Sequence, residues 1–171
     1  MKFGNTIRLP ASMRAWAIAG AIASLIVPQS PASQTAGLGL TETAKIGPRV
    51  VELQSRATTC VLSEKISNSA IQLDLPGPCR FSRRGLRATP QQFDYPKIGI
   101  VIYVFGRPEP LEAFAGRAQI KASDQCSNHA QAVIFLRTGK IETRPAKDSG
   151  IYCPDLGLDE KDFHGAAFPV N

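Results

Sequence analysis

Few residues in this chain are able to do chemistry: four cysteines, two histidines and an arginine-rich stretch ahead of the most apolar run. Cys126-Ser127-Asn128-His129 sets a thiol near an imidazole, the pairing that a thiolate nucleophile needs with its base. With Cys153 and His164, the same residues make the donor set of a metal carrier. Zinc motifs of this kind show close paired spacings, however, and Cys153 and His164 stand well apart. Ser149, His129 and Asp148 can be written as a hydrolytic triad, but no Gly-x-Ser-x-Gly elbow supports it. Asp155, Asp159, Glu160 and Asp162 lack the alternating oxygen ligands and the closing glutamate of an EF-hand loop. Helix capping explains most of these acids more simply. Neither a metal nor a cofactor is expected.

Arg80, Arg83, Arg84 and Arg87 follow Cys79, with Phe81 and Gly85 between them. Guanidinium groups bind carboxylates, phosphates and sulfates through paired donors. Held by Cys79 at one end and by a strand at the other, this segment would be displayed as a basic loop at a sheet edge. Phe81 or Tyr95 would supply an apolar anchor for a partner. An ordinary solvated loop is the plainer alternative.

The elements that must position these residues begin after the N-terminus. Lys2, Arg8 and Arg14 form a basic leader, the stretch 15–27 is apolar, and Ser30 and Ala32 are small. That pattern is a secretory signal at residues 1–32, cut after Ala32. The apolar stretch falls short of the ~20 residues that a membrane span needs. The expected product is exported, periplasmic or secreted, with no membrane span after cleavage. Removing the leader takes the formal charge from +6 to +3, because Lys2, Arg8 and Arg14 leave and no carboxylate does. So small a charge gives no argument for a nucleic-acid partner.

All four cysteines, Cys60, Cys79, Cys126 and Cys153, lie beyond the leader, and an even count in an exported chain reads as two disulfides. Hairpins predicted on either side of the apolar run suggest pairing Cys60 with Cys79 and Cys126 with Cys153. Spacing alone leaves the other connectivities open.

Residues 33–48 lack a period and read as a flexible lead-in. Residues 49–171 form one disulfide-stapled α+β domain, a mainly antiparallel sheet with short helices on one side. Its buried central strand is 97–106, where Ile100, Ile102 and Val104 alternate with Val101, Tyr103 and Phe105. Ile71, Leu73 and Leu75 alternate with Gln72 and Asp74, as in a half-buried strand. The stretch 132–136, the Thr138-Gly139-Lys140 turn and 141–144 predict a hairpin, while Cys79 to Pro96 shows no clear element. Short helices are expected from Leu111 to about Ala118 and over 159–168.

These features favour a non-enzymatic binding or inhibitory protein that recognises an acidic protein surface or an anionic envelope polymer through its basic loop. The alternative is a small secreted hydrolase using His129 or His164 with nearby carboxylates. A metal-binding carrier is the third option.

Overall fold

In the computed structural model, which describes residues 39–114 and 120–169, the first four strands form an antiparallel meander. They are Leu40–Ile46 (β1), Arg49–Ser55 (β2), Cys60–Glu64 (β3) and Ser69–Leu73 (β4). Gly47-Pro48 closes the first hairpin, with the positive φ of 55° at Gly47 that such two-residue loops need. Ala44, Ile46, Val51, Leu53, Leu62 and Leu73 point inward and are buried. β1 occupies residues assigned to the lead-in, so the flexible segment does not extend to residue 48. Its sequence is mostly polar because an edge strand needs only one inward stripe, here Ala44 and Ile46. Residues 33–38 and the leader lie outside the described residues.

Pro76-Gly77-Pro78 ends the meander, and a second antiparallel sheet follows. It comprises Arg80–Phe81 (β5), Gln92–Tyr95 (β6), Gly99–Phe105 (β7), Ala130–Leu136 (β8) and Ile141–Thr143 (β9). β7 is buried at every position. β8 pairs along one of its edges, while β6 and β5 share the other. Gly99 has φ 142°, and a Cβ there would sit 2.1 Å from the Phe135 carbonyl oxygen, so only glycine fits where β7 meets β8.

The two faces of β7 build two cores. Ile100, Ile102 and Val104 pack with the inner face of the meander, joined by Val133, Phe135 and Phe81. Val101, Tyr103 and Phe105 pack with Ile134 and Tyr152 against the helix Glu160–Ala167 (α1), through Phe163, Ala166 and Ala167. Each fully buried side chain of this size contributes about 1.5–3 kcal/mol. The single expected sheet is therefore two sheets, and α1 is the one α-helix among the described residues. The short helices of the prediction are otherwise two 3-10 turns, Leu111–Phe114 and Ala122–Asp124. A single such turn is what four residues after Pro110 support. Residues 115–118 of the predicted helix lie outside the described residues. Asp159 occupies the N-cap position of α1, but its side chain makes no cap hydrogen bond.

Cys60 is bonded to Cys79 and Cys126 to Cys153. Both pairs of sulfurs are thereby removed from metal ligation and nucleophilic attack. The disulfides fit an oxidising compartment. No helix among the described residues is long and apolar enough to cross a membrane.

The Tyr103 hydroxyl donates to the Asp162 backbone carbonyl at 3.0 Å. Burial, and then the Asp162 carboxylate, hold it well above its usual 10.0. Below about pH 10 both the folded and unfolded chains keep this proton, and the group adds no slope. Above that the unfolded tyrosine ionises first, so folding stability is expected to fall as pH rises. Urea titrations of Tyr103→Phe between about pH 9 and 11 should show a flatter alkaline limb than the native protein.

Candidate functional site

The arginine-rich stretch is a loop whose ends and flank are fixed by backbone hydrogen bonds. The Gln91 N–H donates to the Ser82 carbonyl at 2.7 Å and closes the loop at its base. The Arg83 and Gly85 N–H groups donate to the carbonyls of Pro154 and Asp155, each at 2.7 Å. The Gln91 side chain donates to the Leu158 carbonyl and accepts from the Leu158 N–H, at 2.7 and 2.8 Å. The segment that holds the loop therefore runs directly on from Cys153, while Cys79 stands just ahead of Arg80. Each disulfide anchors one side of the loop's support. Gly85, at φ 68°, supplies the left-handed residue that turns the tip.

The six residues singled out as partner-binding do not share one exposed surface. Arg84 and Arg87 are exposed, and Arg80 is half-buried in β5. Among the described residues no carboxylate lies within ion-pair distance of any of these three. Arg84 and Arg87 line one hollow of about 260 Å³ with Thr89, Gln91, Gln92 and Phe93. Arg83 instead turns inward and pairs with Glu42 of β1, tying the loop to the meander.

Phe81 cannot be a surface anchor, because it is fully buried between the two sheets. In β5 it lies opposite Val104, and a pleat that turns Arg80 outward turns Phe81 into the core. Tyr95 belongs elsewhere: its ring meets His164 and Phe168 edge-on, at 6.1 and 5.6 Å between centroids. Burial, and then Glu160, push its hydroxyl above the usual tyrosine range.

The exposed apolar side chain of the loop, not singled out from the sequence, is Leu86. It is 98% exposed at the tip, between Arg84 and Arg87, and Leu156 on the supporting segment is 67% exposed. A lone leucine in a loop without hydrophobic period was the one available signal.

The Ser149, His129 and Asp148 triad does not assemble, whereas His129 does have a carboxylate close by. The carboxylate nearest His129 is Glu109, with Nε2 4.0 Å from Oε1, and the Ser127 hydroxyl accepts from the His129 backbone N–H rather than from its ring. His164 is exposed on α1 and lies against the Phe168 ring at 4.8 Å. Asp148 and Ser149 are exposed in the loop after Lys147, and neither bonds to an imidazole among the described residues. With Cys126 and Cys153 joined, the four-donor metal set is dismantled.

Compared with family models, with curated proteins and with solved structures, the chain matches none, so the placement of its own side chains carries the functional reading.

Proposed function

We propose that this chain is an exported, non-enzymatic binding or inhibitory protein that offers the Arg84–Arg87 tip to an acidic protein surface. The observation that carries this reading is Leu86, almost wholly exposed between two exposed arginines on a loop pinned by hydrogen bonds and flanked by both disulfides. Large apolar side chains at a rigid tip lose little entropy on binding, and this preorganisation favours affinity. The arginines match carboxylates, and Leu86 with Leu156 matches an apolar socket between them. That combination favours a protein over an anionic envelope polymer, which charge alone would recognise. Export accords with the basic, apolar and small-residue pattern of residues 1–32 and with the cross-linked cysteines.

Arg83 is left intact in the test because it holds Glu42. Arg84→Ser with Arg87→Ser should weaken capture of a saturable partner from envelope fractions at least about tenfold and flatten its salt dependence. Leu86→Ser should weaken it equally at low and high salt. Unchanged capture by the double-arginine variant would reject the reading. Capture that ignores Leu86→Ser and depends on salt alone would replace the acidic protein with a polymer.

A further inference from the structure

We propose that a second site, sharing no residue with the arginine loop, binds a small amphipathic carboxylate in the hollow between α1 and the segment after β9. The hollow measures about 400 Å³, within the range of small-molecule sites. Its floor is apolar: the Tyr103 ring, Ala132, Pro145, Ala166 and Pro169. The Tyr103 hydroxyl is already spent on the Asp162 carbonyl, so the ring presents only its apolar surface to a ligand.

Two cations line the same hollow, and among the described residues no carboxylate does. The Nε–H of Arg144 donates to the Ala166 carbonyl at 2.8 Å, which fixes the plane of the guanidinium. Its two terminal amino groups remain for an acceptor, and among the described residues no carboxylate lies within ion-pair distance of them. Paired terminal donors suit the two oxygens of a carboxylate. Lys147 lies 5.7 Å over the Tyr103 ring and 3.7 Å from Asp162 Oδ1, with its side chain half exposed, so it can turn from Asp162 to a ligand at little cost. A half-buried guanidinium with no counter-ion among the described residues, beside an apolar floor, calls for a ligand with one anionic end and a compact apolar body.

Gly165 supplies a blocking variant that leaves the fold alone. It lines the hollow, and a Cβ there meets nothing within 4 Å. The test titrates octanoate and 3-phenylpropionate into the purified protein by calorimetry, alongside 1-octanol and 3-phenylpropanol. Backbone amide shifts of Ala132, Lys147, Gly165 and Ala166 locate the binding. At least one acid should bind with unit stoichiometry and perturb those amides, the matching alcohol should bind at least about tenfold more weakly, and Gly165→Leu should abolish binding without lowering the melting temperature. Lys147→Gln should weaken the acid several-fold and spare the alcohol. Which acid binds tells whether an aliphatic or an aromatic body is preferred. No saturable binding of either acid, equal binding of acid and alcohol, or full binding by a folded Gly165→Leu protein would each overturn the proposal. Because the arginine loop is untouched throughout, failure here leaves the loop reading standing, and the reverse holds.

Discussion

Phe81→Ala is expected to cost about 3–5 kcal/mol of folding stability, as large aromatic truncations in close-packed cores do. The Phe81 side chain is fully buried among Ile102, Val104 and the inner face of the meander. The Cys60–Cys79 disulfide, the Ser55 hydroxyl and the Ser82 N–H bond to the Tyr103 carbonyl still hold β5 on either side of Phe81, so the loss is one of stability and the base of the arginine loop should stay in place. Arg84→Ser with Arg87→Ser, two exposed residues on the same loop, should stay within about 0.5 kcal/mol of the native protein. Urea denaturation of both variants separates the roles that adjacent residues play. A stable Phe81→Ala protein that had lost only its partner would show that this side chain faces outward after all.

Arg49→Met is expected to cost about 1–3 kcal/mol, since it leaves the buried Glu64 carboxylate without a cation and with the Ser67 hydroxyl as its remaining donor. From β2 the Arg49 guanidinium donates to the carbonyls of Gly139 and Leu136, at 3.1 and 3.2 Å, across the gap to the second sheet. It also lies 3.6 Å from Glu64, whose side chain is 8% exposed, and 5.6 Å over the Phe135 ring. The 18% exposure of the Arg49 side chain keeps the cost below that of a wholly buried pair. Much of the penalty belongs to the Glu64 charge, left without its cation though still accepting from the Ser67 hydroxyl at 2.6 Å, so adding Glu64→Gln should recover a measurable share of the stability. A double variant no more stable than Arg49→Met alone would mean that the carbonyl bonds, and not the ion pair, join the sheets.

The central strand was legible because it repeats one signal at every position: both faces of 97–106 are apolar, and that pattern has few folded solutions apart from a covered inner strand. The hairpin over β8 and β9 and the helix carrying Phe163, Ala166 and Ala167 were legible for the same local reason. β1, β5 and β6 were not. Their residues are polar or few, and they are strands because β2 and β7 present unpaired edges to them.

The candidate site divides along the same line. The clustering of arginines was visible in the letters, yet which of them face solvent depended on the pleat of β5, on Glu42 reaching across from β1, and on carbonyls contributed by residues 154 and 155. Leu86 at the tip, and the meeting of Arg144 and Lys147 over an apolar floor, had no periodic signature to find.

By itself the chain's order of residues determined the buried strand, the closing helix and an even set of cysteines suited to cross-linking, because each follows from local period or from counting. Only the tertiary structure decided that there are two sheets, that Phe81 belongs to the core, and that the loop ends in an exposed leucine. Those outcomes depend on contacts between residues distant along the chain, such as Glu42 with Arg83 and Phe81 with Val104, and no local pattern encodes such pairings.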